Sequence, residues 1–319
     1  MTGAGGFIGS HLVEELLKEG AKVRALIHYN SRGSWGFLEG RRDKNLEVVM
    51  GDIRDPGICQ RVTLDQEIVF HLAALIDIPY SYLAPSSYFE TNVLGTVNLL
   101  DASLKNEVKR FINTSSSEVY GTALFSPMTE EHPLQAQSPY AASKVGAEKA
   151  ALSYYMSFGL PVTVVRPFNC FGPRQSSRAV IPTIITQLLN KNSEVLKLGS
   201  LKPVRDYTFV NDTAQGFIKV ALAEGAEGKV FNIGTGQGFS IEEIVKILFK
   251  LTNQRKKIVL DSQRVRPKKS EVWKLVASNK NILKKTGWKP SRSFEEGLKE
   301  TLAWMEEKLS SYKADIYQI

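Results

Sequence analysis

The sequence predicts an α/β fold built on a doubly wound parallel sheet. Short runs of β-branched residues alternate with helical patterns through the first half of the chain, which is typical of parallel strands joined by helical crossovers. These runs are almost continuously apolar, as expected for strands that helices cover on both faces. The chain has 319 residues, a length that allows a second domain beside the sheet.

The predicted strands and helices alternate in chain order up to residue 166. Strands are expected at 22–27, 46–49, 68–72, 110–114 and 162–166, and helices at 10–19, 56–64, 88–106 and 139–158. A sheet of this kind should also have a strand before its first glycine loop, but only Met1 and Thr2 precede Gly3. We expect either a stub strand or a sequence that lacks several native residues. We favour the second, because a missing central strand leaves buried backbone groups unpaired.

A smaller second domain is predicted after residue 166, where the alternation ends. Prolines and glycines interrupt this region, with a helix predicted at 181–190 and a strand at 229–233 that leads into the glycine-rich stretch 234–238. Apolar residues at helical spacing predict two further helices, around 241–248 and 294–305. We assign 1–169, with an excursion near 206–233, to the sheet domain, and 170–205 and 234–319 to the second domain.

The composition excludes several classes of protein and site. Cys59 and Cys170 are too few for a disulfide framework or a multi-cysteine zinc site, and no histidines show metal-ligand spacing. The N-terminus lacks the pattern of a secretory signal and no apolar run approaches about 20 residues, so we expect a cytoplasmic protein without a membrane span. The formal net charge is +8, but the basic residues are dispersed, which favours a small phosphorylated ligand over nucleic acid.

The residues before the first predicted helix form a glycine loop. Gly3, Gly6 and Gly9 have the spacing G-x-x-G-x-x-G, with Phe7 and Ile8 between the last two glycines. Glycine permits close approach of the backbone, and the N-terminus of the following helix presents free N–H groups to an anion. A glycine loop that opens a βαβ unit therefore predicts a site for the pyrophosphate of a dinucleotide.

Further candidate cofactor residues follow the next strands of the sheet. Strand 22–27 ends without a carboxylate that would bind the ribose hydroxyls of NAD, whereas Asn30, Ser31 and Arg32 could bind a 2′-phosphate. The cofactor is therefore predicted to be NAD or NADP, with a slight preference for NADP. The candidate cofactor residues in these loops are Asn30, Ser31, Arg32, Asp52, Ile53, Leu72, Ala73 and Ala74.

Tyr140 and Lys144 form the candidate acid–base pair. They lie four residues apart in the predicted helix 139–158, so both side chains share one face. The ammonium of Lys144 should lower the pKa of the Tyr140 hydroxyl, ordinarily about 10, because it favours the phenolate. Tyr140 would then act as a general base near neutral pH, and both residues would also contact the cofactor.

A run of hydroxyl residues and a carboxylate follow the predicted strand 110–114, at the edge where open α/β sheets bind ligands. Ser116 can hydrogen-bond a substrate hydroxyl and help relay its proton. Glu118 helps to distinguish two kinds of reaction. Hydride exchange at one carbon needs no neighbouring carboxylate, whereas proton abstraction next to a carbonyl does. We therefore expect Ser116, Glu118, Tyr140 and Lys144 to form the catalytic group.

Together these segments resemble the extended short-chain dehydrogenase/reductases that act on nucleotide sugars. The resemblance extends over essentially the whole chain and rests on 2–9, 71–74, Asn92, 115–121, 140–144 and 166–169. It implies a Rossmann domain that binds NAD or NADP, with Asn92 among the cofactor residues, and a C-terminal domain that binds the sugar nucleotide. It also implies that Ser116, Tyr140 and Lys144 are the catalytic hydroxyl, the base and its helper. Asn169 would then contact the substrate.

Within this family, the stretch 115–121 is similar to that of sugar 4,6-dehydratases and UDP-glucuronate decarboxylases, whereas epimerases usually lack its glutamate. Ser117 occupies a position where some dehydratases have aspartate, so the acid that protonates the departing water is unassigned, and Glu118 could serve as both base and acid. Ser117 is expected to contact the substrate. The stretches 28–36 and 172–187 resemble legionaminic-acid-type N-acetylglucosamine 4,6-dehydratases. The implied reaction oxidises C4, eliminates water across C5 and C6, and returns hydride to C6, giving a 4-keto-6-deoxy sugar nucleotide.

The resemblance also implies partners for this chain. Arg174, Arg205 and Arg266 fall in family-like segments and are expected to bind the substrate diphosphate. Helices 88–106 and 139–158 resemble those at the interface of family homodimers, so we expect a homodimer. A C4 epimerase or a decarboxylase on the same scaffold is the first alternative, and a non-catalytic NAD(P)- or RNA-binding protein is the second. Neither the nucleotide nor the sugar is identified by the sequence.

Overall fold

The computed structural model describes residues 1–309 and 312. Its strands are β1 (Val23–His28), β2 (Leu46–Gly51), β3 (Ile68–His71), β4 (Arg110–Thr114), β5 (Val162–Pro167), β6 (Asn169–Phe171), β7 (Val195–Leu198), β8 (Val204–Phe209), β9 (Val230–Ile233), β10 (Gly238–Ser240), β11 (Lys257–Leu260) and β12 (Lys274–Leu275). Its helices are α1 (Phe7–Lys18), α2 (Pro56–Thr63), α3 (Ile78–Leu83), α4 (Pro85–Tyr88), α5 (Gly95–Lys105), α6 (Pro139–Phe158), α7 (Val180–Leu189), α8 (Val210–Leu222), α9 (Ile241–Thr252), α10 (Lys280–Thr286) and α11 (Phe294–Glu307). Within the described residues, none of these helices combines the length and the apolar character needed to cross a membrane.

The first half of the chain forms the predicted parallel sheet. β1 pairs with β2, and β3, β4, β5 and β9 follow one another in that order. Thr2 joins the two sets, since it forms parallel bridges to Leu26 of β1 and His71 of β3. The Leu26 N–H donates to the Met1 carbonyl at 2.8 Å, and the Thr2 N–H donates to the Phe70 carbonyl at 2.9 Å. Met1 and Thr2 thus take the central place that the sequence assigns to a first strand.

Helices cover both faces of this sheet, which explains why its strands lack alternating polarity. Neighbouring residues of β4 point to opposite faces: Phe111 packs in a core with α2, α5 and α6, and Ile112 in a core with α1 and α8. β5 repeats the arrangement with Val164 and Val165. Both faces of each central strand must therefore be apolar, and the predicted α/β class is confirmed.

A second, smaller sheet is centred on β8. This strand pairs with β6, β10 and β12, while β7 pairs with β11. The core beneath it joins Phe171, Tyr207 and Phe294 to apolar residues of α7 and α9.

The predicted excursion 206–233 is divided between the two sheets. Residues 206–209 belong to β8 of the second sheet, whereas α8 packs on α1 and β9 pairs with β5 of the main sheet. The division into two domains stays a prediction.

The predicted helix 88–106 is less regular than its pattern indicates. π-helical turns over Phe89–Leu94 join α4 to α5. Turns of this type occur frequently at functional sites, and hydrophobic spacing does not reveal them. Here they carry Asn92, whose amide is buried against the backbone of Leu75 in the segment that follows β3.

Candidate active site

A wide cleft of about 1350 Å³ opens at the carboxyl ends of the main-sheet strands. Its lining includes the glycine loop, residues that follow β1 to β4, and residues from the second half of the chain such as Arg205 and Arg266. This is the edge at which open parallel sheets bind ligands. Among residues 1–309 and 312, no three histidine, cysteine, aspartate or glutamate side chains form a group that could hold a metal ion.

The glycine loop packs too tightly for a side chain at two of its glycines. A Cβ at Gly9 would lie 2.1 Å from the Gly3 carbonyl oxygen, and a Cβ at Gly3 would lie 2.8 Å from the Ala73 nitrogen. α1 then begins at Phe7 without a side-chain cap from the part of the chain described, so its first N–H groups are available to an anion. Gly3, Gly6, Phe7, Ile8 and Gly9 all line the cleft.

The loop after β1 differs from its predicted role in phosphate binding. Asn30 lines the cleft, but its amide donates to the Ser34 carbonyl at 2.9 Å and accepts from the Ser34 N–H at 3.1 Å. Ser31 and Arg32 are exposed and are not among the residues that line the cleft. The geometry of this loop therefore does not gather the three side chains around one phosphate position.

Asp52 and Ile53 line the cleft after β2. Arg54, which the sequence interpretation missed, donates to both carboxylate oxygens of Asp52 at 2.6 to 3.1 Å. These hydrogen bonds hold the pKa of Asp52 below its usual value. His28 at the end of β1 lies 3.5 Å from the same carboxylate. Asp52 is thus a carboxylate paired with a guanidinium, which the predicted strands alone do not indicate.

The segment after β3 contributes Leu72, Ala73 and Ala74 to the lining. Asn92, by contrast, is 1% exposed and is not part of the lining. Its amide accepts from the Leu75 N–H at 2.8 Å and donates to the Leu75 carbonyl and to the Ser143 hydroxyl, both at 2.9 Å. Asn92 therefore fixes the segment after β3 to α6, which carries the candidate base.

The candidate base and its helper lie in the first two turns of α6. Ser138 caps this helix, since its hydroxyl accepts from the Ala141 N–H at 3.1 Å. The Tyr140 hydroxyl is hydrogen-bonded to Ser116, which follows β4. Lys144 donates from Nζ to the Thr114 carbonyl at 2.5 Å. The helix and the end of β4 together place the hydroxyl, the phenol and the ammonium at one edge of the sheet.

The pKa of Tyr140 corrects one expectation. Burial raises this pKa to about 12; the hydrogen bond from Ser116 opposes the shift, and the charge of Glu118 adds to it. Burial also lowers the pKa of Lys144 to about 8, against the charge of Glu148. The structure differs from the prediction that Lys144 brings the Tyr140 pKa below its ordinary value, because desolvation of the buried phenolate and the charge of Glu118 both raise this pKa.

Glu118 faces the cleft, as its proposed chemistry requires. It is the second residue of a 3-10 turn, Ser117–Tyr120, whose N-cap is Ser116, and the Ser116 hydroxyl accepts from the Glu118 N–H at 3.2 Å. Its carboxylate is 12% exposed, with Oε1 3.9 Å from Arg266 Nη1 and 4.0 Å from Arg205 Nε. Arg205 also lies 3.7 Å from Glu271, a second carboxylate in the lining that the sequence interpretation missed.

The structure separates the three predicted diphosphate ligands. Arg205 and Arg266 line the cleft, together with Ser117 and Asn169.

Arg174 is not part of the lining; it donates to Glu14 at 2.7 Å and to the Ser10 hydroxyl at 3.1 Å, both on α1. These two residues hold the Arg174 guanidinium against α1, and its contact with the substrate stays a prediction. Arg178 lines the cleft instead, 3.7 Å from Asp77. Arg178 could have been predicted from the sequence, because it lies in the family-like stretch 172–187.

Comparisons with known proteins agree with these features. A family model described as GDP-mannose 4,6 dehydratase matches residues 1–301. A dTDP-glucose 4,6-dehydratase of Actinoplanes sp. is 33% identical over 315 residues, which cover 95% of this chain and 96% of that protein. The crystal structure of DesIV, a dTDP-glucose 4,6-dehydratase from Streptomyces venezuelae with NAD bound, is 31% identical with a TM-score of 0.86, and 98% of each chain is covered. A UDP-N-acetylglucosamine 4-epimerase from Methanobrevibacter ruminantium is 32% identical with a TM-score of 0.86, covering 96% of this chain and 97% of that one.

Proposed function

This chain belongs to the GDP-mannose 4,6 dehydratase family of extended short-chain dehydrogenase/reductases, enzymes of nucleotide sugars, and we propose that it is a nucleotide-sugar 4,6-dehydratase. It would convert an NDP-hexose or NDP-N-acetylhexosamine into a 4-keto-6-deoxy product with loss of water. The observation that carries the proposal is the carboxylate of Glu118, which lines the same cleft as Tyr140 and acts on its pKa through charge. Oxidation at C4 alone has no use for that carboxylate.

A nicotinamide dinucleotide fits the residues that line this cleft. The N–H groups at the start of α1 would hold its pyrophosphate, and the close backbone packing at Gly3 and Gly9 keeps the glycine loop against the start of this helix. We propose NAD or NADP, with Asn30 and Asp52 toward the adenosine part and Tyr140 and Lys144 toward the nicotinamide. When bound, this group would take a hydride from C4 of the sugar and return it to C6.

Tyr140 is the proposed base for the 4-hydroxyl of the sugar. Its hydroxyl is hydrogen-bonded to Ser116, so a proton taken from the substrate can be shared between the two. A buried phenolate needs positive charge nearby, and Lys144 is the cation that α6 places one turn away. Burial raises the pKa of Tyr140 in this structure, so we propose that Lys144 supports the ionised form of Tyr140 only once the dinucleotide and the sugar are bound.

Glu118 would act once C4 is a ketone, because the ketone acidifies the hydrogen on C5. Its carboxylate takes that proton and passes it to the departing C6 hydroxyl, which leaves as water. C5 is then reprotonated from solvent through the same carboxyl group as hydride returns to C6. Arg205 and Arg266, at 4.0 and 3.9 Å from Glu118 Oε1, would hold this carboxylate in the cleft. Glu118 serves in both roles because Ser117 offers no acidic proton.

The substrate is proposed to be a nucleotide-activated N-acetylglucosamine, on the resemblance of the stretches 28–36 and 172–187. Arg205 and Arg266 are the cations in the lining that would bind its diphosphate, with Ser117 and Asn169 as further contacts. An arginine that binds the diphosphate and also lies beside Glu118 would position the sugar relative to the Glu118 carboxylate.

The enzyme is proposed to be a homodimer through α5, α6 and the turns that precede α5. Large apolar side chains are exposed on this surface at Phe89, Leu94, Met156 and Phe158. Burial of such side chains between two copies would stabilise the association. Light scattering at micromolar concentration should give the mass of two chains, and a monomer alone would remove this proposal.

The test of the function is incubation with a panel of sugar nucleotides: UDP- and GDP-N-acetylglucosamine, UDP-glucose, dTDP-glucose and UDP-glucuronate. We expect a 4-keto-6-deoxy product from at least one of the neutral sugars, detected by mass spectrometry as loss of water and by NMR as a ketone. Conversion to a C4 epimer without loss of water would identify an epimerase instead. Release of carbon dioxide from UDP-glucuronate would identify a decarboxylase.

A further inference from the structure

The loop 115–121 carries the proposed catalytic hydroxyl and carboxylate. Near each end it is anchored by a hydrogen bond to a side chain outside the cleft lining. Near its start, the Ser115 hydroxyl donates to Glu148 Oε2 at 2.7 Å. Near its end, the Tyr120 hydroxyl accepts from Arg166 Nη1 at 2.7 Å. Ser115, Ser116, Ser117 and Glu118 line the cleft, whereas Tyr120, Glu148 and Arg166 are buried outside its lining.

Glu148 and Arg166 are themselves an ion pair in the interior, 0% and 3% exposed. Arg166 donates to the two carboxylate oxygens of Glu148 at 2.5 and 2.9 Å, and to the Glu130 carbonyl at 3.1 Å. The Tyr120 hydroxyl in turn donates to Asn232 Oδ1 at 2.7 Å. A buried charge is tolerated when its hydrogen-bonding capacity is met, and a fully connected network of this kind favours one geometry.

α6 connects this ion pair to the acid–base residues. Glu148 follows Lys144 by four residues and Tyr140 by eight, so the three side chains lie along one side of the helix. The Glu148 charge also acts on the buried ammonium of Lys144. The helix that carries the base therefore carries the anchor of the loop that holds Glu118.

We propose that Glu148, Arg166 and Tyr120 are positioning residues that fix the Glu118 carboxylate relative to the Tyr140 hydroxyl. The inference rests on the proposed dehydratase function, because elimination requires both groups to reach neighbouring carbons of one sugar. A misplacement of about 1 Å can cost a factor of about 100 in rate, so a rigid connection beneath the cleft has a direct catalytic consequence.

The two anchoring hydrogen bonds, Ser115–Glu148 and Tyr120–Arg166, are expected to affect different steps of the reaction. Ser115 adjoins Ser116, the partner of Tyr140, so the Ser115 contact should govern oxidation at C4. Tyr120 is two residues beyond Glu118, so the Tyr120 contact should govern proton removal at C5. A residue that serves only the stability of the fold would slow both steps together.

The experiment compares Tyr120→Phe and Ser115→Ala with the control Ser103→Ala, which removes a comparably buried hydroxyl from α5. UDP- and GDP-N-acetylglucosamine are the probes, in single turnovers in D2O. Absorbance of the reduced nicotinamide reports C4 oxidation, and deuterium in the recovered sugar reports C5 exchange. Amide hydrogen exchange over 116–121 gives a readout that needs no substrate.

We expect Tyr120→Phe to slow C5 exchange at least about tenfold more than C4 oxidation, and Ser115→Ala to slow C4 oxidation while the C5 exchange per reduced nicotinamide stays unchanged. Both should accelerate amide exchange over 116–121, and Ser103→Ala should change neither. Equal slowing of the two steps in Tyr120→Phe, or unaltered amide exchange in this variant, would overturn the inference. A wild-type enzyme that oxidises C4 without any C5 exchange would count against the dehydratase function instead. The amide exchange would then still test whether the buried contacts hold the loop 115–121.

Discussion

The Glu118 carboxylate lies 3.9 Å from the Arg266 guanidinium, inside the cleft that Tyr140 also lines. Tyr140 is the group suited to oxidation at one sugar carbon, and Glu118 is the group suited to proton removal at the next. Dehydration needs both, because the ketone formed by the first step provides the acidity that the second step uses. Single substitutions can therefore separate these two roles from each other and from those of the supporting residues.

Glu118→Gln should spare oxidation at C4 and abolish exchange at C5. The amide keeps the shape of the side chain but cannot accept the proton, so we expect C5 exchange to fall by a factor of about 100 to 10,000. Single-turnover absorbance and NMR in D2O measure the two steps. Glu271→Gln is the matched control, since Glu271 also lines the cleft beside Arg205 and should retain the exchange. Loss of exchange in the control alone would transfer the role to Glu271.

Lys144 should make the folded protein more stable as the pH rises above about 8. Its pKa is about 8 in the folded state and 10.5 as an ordinary lysine, so between these values the unfolded chain binds more protons. The unfolding free energy therefore increases with pH across this window, by roughly 1.4 kcal/mol for each unit of the pKa difference. Urea denaturation of wild type and Lys144→Met at several pH values measures the difference between them. A difference that does not change over this window would contradict the burial of the ammonium.

Arg266→Gln should raise the KM for the sugar nucleotide, whereas Arg174→Gln should not. A hydrogen bond to a charged group contributes about 1.5 to 3 kcal/mol, so we expect an increase in KM of about 10- to 100-fold for Arg266→Gln. Arg174 is held by Glu14 on α1, so its substitution should lower the melting temperature and leave KM unchanged. Steady-state kinetics and thermal denaturation of both variants provide the comparison. The reverse pattern would restore Arg174 as a diphosphate ligand.

Arg32→Ala should leave the preference between NADP and NAD unchanged, because Arg32 is exposed and outside the cleft lining. Arg54→Ala should reduce NADP affinity more than NAD affinity, since it leaves the Asp52 carboxylate without its main counter-charge near the adenosine end. Fluorescence titration of both dinucleotides measures the two affinities. A selective loss of NADP binding in Arg32→Ala would instead support the phosphate site that the sequence suggested.

The elements of the sheet and the positions of the candidate catalytic residues were predictable because they depend on local spacing. Continuous apolar runs gave the strands, and the i, i+4 spacing put Tyr140 and Lys144 on one helix face. Parallel strands all end at one edge, which is why Glu118, two residues into the turn after β4, could be expected in the cleft. The glycine loop was predictable for the same reason, since it precedes α1 directly.

What the sequence did not reveal depends on partners far away along the chain or on burial. Arg174 looked like a free cation because Glu14, which holds it, lies 160 positions earlier. The sign of the Tyr140 pKa shift follows from desolvation, which no spacing reports. The Glu148–Arg166 pair was equally hidden, because each residue alone reads as an ordinary charge on a helix or a strand.

The most direct test of the central claim follows the hydrogen on C4 of the sugar. UDP- and GDP-N-acetylglucosamine labelled with deuterium at C4 are turned over in ordinary water, and NMR locates the label in the product. We predict that the label appears at C6 of a 4-keto-6-deoxy sugar whose C5 hydrogen comes from the solvent. Recovery of the label at C4 of an epimerised sugar, with the original hydrogen still on C5, would contradict the account.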